Sequence, residues 1–185
     1  METITSLGAI NPATPTIATS RGEECWFALY TCANHEKRVA THLEARKVDY
    51  FLPLYSSVRR WKDRRVRLDM PLFPGYLFVR IALSARLRVL EAPGVVRLIG
   101  FNGQPYPLPK QEIESLRAGV LNAARIEPHP HLNIGSRVRV VRGPLRGAEG
   151  IFVRKKNVYR MILTIDVIAR SAAVEVDAHD IEKIF

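Results

Sequence analysis

The sequence predicts two structural units, an α+β domain with a largely antiparallel sheet and flanking helices, followed by a small all-β barrel. Between residues 24 and 122, short apolar runs typical of strands alternate irregularly with amphipathic segments typical of helices. Between residues 134 and 185, apolar and polar side chains alternate with period two. Residues 123–133 contain two prolines and show no periodicity, which is typical of a linker.

An N-terminal extension, residues 1–23, precedes the first unit and carries no aromatic side chain. It is rich in Thr, Ala, Pro and Ser, so it cannot bury enough apolar area to offset the entropy of ordering the chain. We expect this extension to be disordered.

The first unit combines short strands with three helices. Strands are expected at residues 25–31, 50–55, 76–82 and 95–99, with a two-stranded ribbon at about 57–69. Helices are expected at about residues 34–47, 84–91 and 109–122, with Asn34 and Ser84 as N-caps and Pro109 in a first turn. The spacing of Val39, Ala40 and Leu43 predicts the buried face of the first helix.

A rigid turn precedes the strand at 76–82, and its sequence is Pro71-Leu72-Phe73-Pro74-Gly75-Tyr76. The prolines fix two φ angles and Gly75 permits a conformation closed to other residues, so the aromatic side chains beside them are held in place. Fixed aromatic side chains at a turn suit docking to a partner, and they suit packing in the core equally well. The residues alone leave both interpretations open.

A basic segment lies just before this turn. Residues 59–67 hold six cations, one anion and a tryptophan. A charge run is most often a solvated hairpin tip. The alternative is a surface that faces phosphate groups, to which Trp61 adds stacking, and the basic character of the whole chain favours it.

The net charge of the chain is +10 over 185 residues, which favours a polyanionic partner. Residues 24–122 carry +7 and residues 134–185 carry +4, whereas the extension carries −1 and the linker zero. Both predicted domains are therefore basic, and a basic tail is excluded as the source of the charge.

Motifs of catalysis are missing from the sequence. It contains neither G-x-x-x-x-G-K-[ST], nor G-x-G-x-x-G, nor H-E-x-x-H. The five histidines are scattered, and no Cys or acidic cluster completes a metal-ligand set around His129 and His131. We expect no enzyme activity, no metal and no cofactor.

Cys25 and Cys32 lie at opposite ends of one predicted strand, where a disulfide is geometrically awkward. No apolar run approaches the roughly 18 residues that span a bilayer, and the start of the chain lacks the basic region of a signal peptide. We expect a soluble, cytoplasmic and monomeric protein without membrane contact.

The order of these signals resembles the NusG family of transcription elongation factors, in which a flexible linker joins an NGN domain to a KOW barrel of the SH3-like type. The resemblance covers nearly all of residues 26–184 and rests on four sequence motifs that occur in the same order along the chain. They are Trp26-Phe27-Ala28-Leu29-Tyr30; Phe73-Pro74-Gly75-Tyr76; Pro93-Gly94-Val95-Val96-Arg97-Leu98-Ile99-Gly100; and the KOW-like Gly135-Ser136-Arg137-Val138-Arg139-Val140 with Gly143-Pro144 and Glu149-Gly150-Ile151-Phe152.

The resemblance implies that the first domain binds RNA polymerase and bridges its two largest subunits. An apolar patch would sit on the clamp helices of the largest subunit, with contributions from Trp26, Phe73, Pro74 and Tyr76. The opposite side would approach the gate loop of the second-largest subunit through Ser84, Arg86 and Arg88. Such a bridge would keep the clamp closed and reduce pausing or termination, which is a population shift and not bond chemistry.

The resemblance also places the non-template DNA strand near the first helix and the basic ribbon. The candidate contacts are His35, Lys37, Arg38, Arg59, Arg60, Lys62, Arg64, Arg65 and Arg67. Phosphate contacts by such residues set position and salt sensitivity and carry no sequence information.

Two features depart from the general factor. The residues that flank the Phe-Pro-Gly-Tyr string resemble those of specialised RfaH-like and polysaccharide-operon paralogues, which implies action at specific operons. Where NusG proteins often carry Phe-Gly-Arg, this chain has Ile168-Ala169-Arg170, with Ile168 and Arg170 as candidate partner contacts. The loss of the aromatic residue and the glycine weighs against Rho and a small-subunit ribosomal protein as partners. The β-branched content of residues 134–185 favours strands over RfaH-type refolding into helices.

A ribosome-associated rRNA-binding protein is the alternative, because KOW barrels also occur in ribosomal proteins and a basic pI suits rRNA. Ribosomal proteins of that kind lack a preceding NGN-like domain. Residues 24–122 therefore favour the transcription factor.

Overall fold

A five-stranded antiparallel sheet organises the first unit in the computed structural model, which describes residues 22–61, 64–123, 125–129, 135–155 and 158–184. Its strands are β1 (Glu24–Thr31), β2 (Asp49–Phe51), β5 (Tyr76–Ala82), β6 (Val95–Leu98) and β9 (Pro107–Leu108). The central strand, β1, pairs with β5 on one side and with β6 and β9 on the other. Residues 26–29 of β1, which point alternately to the two faces, are all buried, as the continuous apolar run predicts.

Alternate residues of β1 point to opposite faces of the sheet, and a different set of helices covers each face. Helices α1 (Glu36–Ala45) and α2 (Arg86–Leu90) cover the face of Phe27 and Leu29 and form one buried cluster with them. Helix α3 (Lys110–Asn122) covers the face of Trp26 and Ala28. No helix among the described residues is long and apolar enough to cross a membrane.

A long hairpin lies outside this sheet. It consists of β3 (Leu54–Trp61) and β4 (Arg64–Pro71). This confirms the predicted basic ribbon, and the hairpin is longer than the 57–69 that the sequence predicts. A second, very short hairpin pairs β7 (Gly100–Phe101) with β8 (Gln104–Pro105). Asn102 and Gly103 both have positive φ at its tip, as expected of an Asn-Gly turn.

The second unit is a six-stranded antiparallel sheet. The strands are β10 (Ile126–His129), β11 (Ser136–Val140), β12 (Glu149–Lys155), β13 (Val158–Ile165), β14 (Arg170–Glu175) and β15 (Ile181–Lys183), and they lie in the order β10-β14-β13-β12-β11-β15. The apolar residues of the alternating pattern are buried together, among them Val138, Met161, Leu163 and Val174. This confirms the prediction of strands, and not helices, over this part of the chain.

Three local predictions differ from the structure. Asn34 does not cap α1; it has φ +60, a conformation that Asn tolerates better than most residues, and His35 occupies the N-cap position without a side-chain hydrogen bond. Ser84 does not cap a helix either, because it lies in a 3-10 turn, Leu83–Ala85, before α2 begins. The strand expected at 50–55 is divided between β2 and β3, since Pro53 has no N–H to donate to a sheet.

The predicted linker is also partly structured. Residues 126–129 form β10 and pair with β14 of the second unit, so this end of the linker belongs to the second sheet. Residues 124 and 130–134 lie outside the described residues, and so does the predicted disorder of residues 1–21.

The two units pack against each other through α3, and their apolar residues form one continuous buried cluster. Gly119 brings α3 close to the second sheet, because a Cβ at this position would lie 2.8 Å from Leu163 Cδ1 and 3.1 Å from a methyl group of Val174. The Glu149 N–H donates to Ser115 Oγ at 2.9 Å, and Gln111 Nε2 donates to the Gly147 carbonyl at 2.8 Å.

Candidate polymerase and nucleic-acid interface

Gly75 fixes the turn between β4 and β5. Its φ is +83°, a conformation that favours glycine, and a Cβ would lie 3.1 Å from Tyr30 Cε2, so a side chain here would also press on the Tyr30 ring. Its N–H donates to Glu36 Oε1 at 2.7 Å, and its carbonyl accepts the Thr31 N–H at 2.9 Å. The turn is thereby tied to both α1 and β1.

The role of Glu36 in this turn was not predicted. Its side chain is buried, although two exposed cations, Lys37 and Arg38, follow it directly in the first turn of α1. A carboxylate in a first turn usually interacts with the helix N-terminus and water. Nothing in the sequence links it to an amide 39 residues later, and only the tertiary structure shows the contact.

Phe73 and Trp26 belong to the core in this structure, with exposures of 1% and 6%. Phe73 packs edge-on against Phe78, with ring centroids 6.2 Å apart. The guanidinium carbon of Arg117, on α3, lies 4.6 Å from the centroid of the Trp26 ring. Both aromatic side chains are therefore core residues in this structure, and neither is accessible to a partner in this arrangement. Their contact with polymerase stays a prediction.

Three other residues at the turn reach solvent, and we call them the tyrosine patch: Tyr30, Pro74 and Tyr76. The two tyrosine rings lie 5.2 Å apart and are tilted by 48°. Tyr30 is 37% exposed and was not predicted as a site residue. The signal was present, since period-two alternation places Tyr30 on the same face of β1 as Trp26.

The α2 region lies on the opposite face of the sheet, as the predicted bridge between two subunits requires. Ser84, Arg86 and Arg88 are all exposed. Arg88 is engaged locally, because its Nη2 donates to the Arg46 carbonyl at 2.7 Å while Arg46 donates back to the Arg88 carbonyl. Leu87, a large exposed apolar residue between the two arginines, was not among the predicted site residues.

The ribbon places like charges opposite each other. Arg60 is the cross-strand partner of Arg65, and Arg67 follows two residues later on the same face. These three and Arg64 are exposed, and none takes part in an ion pair among the described residues. Like charges directly opposite destabilise a hairpin, so this surface favours an external anion. Lys62 and the side chain of Arg59 lie outside the described residues.

The start of α1 adds further positive charge beside the turn. Lys37 and Arg38 are exposed, and His35 is half-buried. Because Glu36 between them holds Gly75, these cations are fixed relative to the tyrosine patch. The structure thus joins the α1 cations to the predicted polymerase surface, and the ribbon ends at Pro71, directly before the same turn.

The candidate partner loop of the second unit offers one residue of the two predicted. Arg170 is exposed at the start of β14, whereas Ile168 is buried with the core. Ala169 between them has φ +48°, a conformation that favours the glycine NusG proteins often carry there. This loop therefore presents a cation and not an apolar contact.

Comparison with known proteins identifies the family. Residues 24–117 match the family described as NusG, transcription termination factor nusG. The transcription termination/antitermination protein NusG of Lactococcus lactis is 29% identical over 176 residues, which cover 88% of this chain and 94% of that protein. The protein of the same name from Helicobacter pylori strain J99 is 25% identical over 172 residues, covering 86% and 98% of the two chains.

One solved structure supports the fold. It is described as "Domain interaction in Thermotoga maritima NusG", covers 88% of this chain and 98% of its own, and superposes with a TM-score of 0.53 at 20% identity. The described fold and surfaces define a two-domain protein with an NGN-like α+β unit and an all-β unit. The chain belongs to the NusG family, which confirms the resemblance seen in the sequence. The RfaH-like subtype stays a prediction.

Proposed function

We propose that this protein is a transcription elongation and antitermination factor that binds RNA polymerase through its first unit and reduces pausing or termination at specific operons. Membership of the NusG family supports the class of function. The observation that carries the proposal is the rigid turn bearing the tyrosine patch, to which Glu36 ties the α1 cations, together with ribbon cations that no described carboxylate neutralises.

The tyrosine patch is the contact for the clamp helices of the largest subunit. Tyrosine side chains combine a large apolar area with a hydroxyl group, which suits them to the centre of a protein interface. Glu36 and Thr31 fix the turn beforehand, so little entropy is lost when it docks. Arg86 and Leu87, on the other face of the sheet, are the contacts for the gate loop of the second-largest subunit.

The ribbon and the α1 cations are the contact for the non-template DNA strand. Phosphate groups relieve the repulsion between Arg60 and Arg65, and binding releases condensed counterions. These contacts position the protein on the elongation complex and carry no sequence preference of their own.

The effect on transcription is a population shift. A protein that binds the closed clamp tenfold more tightly than the open clamp favours closure by about 1.4 kcal/mol, since an equilibrium moves only by differential affinity. This mechanism makes and breaks no covalent bond. Among the described residues, no cluster of three His, Cys, Asp or Glu residues is placed to hold a metal ion.

The test measures binding to purified bacterial RNA polymerase elongation complexes. Substituting both tyrosines, Tyr30→Ala with Tyr76→Ala, is expected to weaken binding tenfold or more. Phe101→Ala is the matched control, because Phe101 is an exposed aromatic residue on the β7–β8 hairpin, outside the tyrosine patch. Equal binding by the double variant and the control would contradict the polymerase contact. Binding of the parent chain to purified ribosomal subunits, and not to the polymerase complexes, would favour the ribosome-associated alternative.

The nucleic-acid contact is tested with a single-stranded DNA probe at several salt concentrations. Arg60→Ser with Arg65→Ser is expected to lower the slope of log affinity against log salt by about 1.4, because each phosphate that is no longer neutralised lowers it by roughly 0.7. Arg142→Ser with Arg146→Ser removes two exposed cations from the second unit as a control. An unchanged slope in the ribbon variant would contradict this part of the proposal.

A further inference from the structure

An open cavity of about 370 Å³ lies at the contact between the two units, and both polar and apolar residues line it. Glu112 lines it from α3, and Asp166 lines it from the segment that follows β13. The cavity therefore brings two carboxyl groups together, one from each unit, at the place where the units meet.

Glu112 has little to stabilise its charge. Its Oε2 is buried and accepts no hydrogen bond among the described residues, and the Asp166 N–H donates to its carboxyl group. Burial, and then the negative charge of Asp166, raise the pKa of Glu112 from its ordinary value of 4.5 to about 7. The Asp166 N–H and Arg137 act in the opposite direction and do not offset this rise.

The other polar groups around the cavity come from four elements. Arg137 on β11 and Glu149 on β12 carry charge, and Glu149 is held by Arg139 through an Nε–Oε1 bond of 2.8 Å. The neutral groups are Gln111 and Ser115 on α3 and Thr164 on β13. On α3 itself, the exposed Glu114 pairs with Lys110 at 3.3 Å. No described cation forms an ion pair with Glu112.

We propose that Glu112 and Asp166 form a proton-dependent latch between the two units, which is closed when Glu112 is protonated and weakened when Glu112 ionises. The latch concerns the isolated chain, so it does not depend on the proposed function in transcription.

The direction of the pH effect follows from linkage. Separation of the units returns Glu112 to water and to a pKa near its ordinary value, so the closed form binds the proton more tightly than the open form. The contact is strongest below pH 4.5, weakens as pH rises, and loses this contribution above about pH 7. The closing equilibrium changes by about two orders of magnitude over that window, at tenfold for each pKa unit.

Energy transfer between two dyes on the full chain tests the latch. Cys25→Ser and Cys32→Ser remove the native thiols, and Glu44→Cys on α1 and Arg142→Cys in the second unit provide labelling sites at two exposed positions. Transfer efficiency is then measured from pH 5.5 to pH 8.0. We expect efficiency to fall as pH rises, with unchanged far-UV circular dichroism.

Three variants in the labelled background separate the latch from a general pH effect. Glu112→Gln is expected to abolish the pH dependence with high transfer throughout, because the amide is neutral and of the same size. Asp166→Asn is expected to shift the transition to lower pH, since it removes the repelling charge. Glu114→Gln, on an exposed position of the same helix, is expected to follow the parent chain.

Constant transfer in the parent chain across this range would overturn the latch. So would the same pH dependence in Glu112→Gln as in the parent, or low transfer in Glu112→Gln at every pH. A fall in transfer that coincides with loss of the circular dichroism signal would show unfolding, and would overturn it as well.

Discussion

The two faces of the first sheet are closed in different ways. Helices α1 and α2 close the face of Phe27 and Leu29, and the buried cluster there contains residues of the first unit only. Helix α3 closes the face of Trp26 and Ala28, but its other side packs against the second unit, and the buried cluster continues into that unit. The stability of the face of Phe27 and Leu29 is therefore a property of one unit, and we call it the independent face. The face of Trp26 and Ala28 depends on the contact between the units, and we call it the coupled face.

This difference bears on the proposed polymerase surface, because the turn at Gly75 lies on the coupled face. Phe73 belongs to the buried cluster that continues into the second unit, and Tyr76 packs against the edge of that cluster. The core behind this turn is therefore continuous with that of the second unit, while Tyr30 and Pro74 are exposed with both units in contact. In the α2 region, on the face of Phe27 and Leu29, Arg86, Leu87 and Arg88 are exposed.

The largest effect is expected from Phe27→Ala on the independent face. Phe27 is a fully buried large side chain, and its truncation is expected to cost about 3–5 kcal/mol of unfolding free energy. Denaturant unfolding followed by Trp26 fluorescence measures the loss. Leu121→Ala, at a position 78% exposed on α3, is the control and is expected to cost under about 0.5 kcal/mol. A similar small cost for both variants would contradict the description of this face.

A smaller effect is expected from Gly119→Leu on the coupled face. A Cβ at this position already lies 2.8 Å from Leu163 Cδ1, so a longer side chain overpacks the contact and is expected to weaken it by about 1–3 kcal/mol. Amide chemical shifts of β13 and β14 are expected to change while those of α1 stay the same. Shifts confined to α3 would mean that the contact between units does not depend on this close approach.

Glu36→Gln tests the hydrogen bond that joins α1 to the turn at Gly75. A neutral amide oxygen accepts the Gly75 N–H less strongly than a carboxylate, so a loss of about 1 kcal/mol is expected. Thermal unfolding and the Gly75 amide shift report the change. Glu44→Gln, on the exposed part of α1, is the control. If the Gly75 amide shift is the same in both variants, the link is not formed in solution.

The smallest effect is expected from Ala169→Gly, in the turn between Ile168 and Arg170 of the second unit. Ala169 has φ +48°, and glycine adopts this conformation without a side-chain clash, so the second unit is expected to gain about 0.5–1 kcal/mol. The first unit is expected to keep its stability. A destabilised second unit would contradict the left-handed conformation of this residue.

Much of the fold follows from local patterns in the sequence. Period-two alternation predicts β13 and β14, and the continuous apolar run of residues 26–29 predicts that both faces of β1 are covered. Helix capping was less predictable, since Asn34 and Ser84 have suitable side chains but lie in turns that tertiary packing fixes.

The coupled face was not predictable from the sequence. Ser115 and Gly119 form the contact between units, and small residues on a helix carry no hydrophobic signal. The Glu36–Gly75 bond joins residues 39 positions apart, and no local pattern encodes it. The burial of Phe73 also depends on tertiary packing, including the edge-on contact with Phe78, which the turn sequence alone does not specify.

The coupling of the two units is tested most directly by ¹⁵N relaxation of the full chain at pH 5.5, where the latch is expected to be closed. If α3 joins the units as described, amides of β1 and β13 report the same rotational correlation time, that of a single body that contains both units. Two distinct and shorter correlation times, one for each unit, would contradict a shared core.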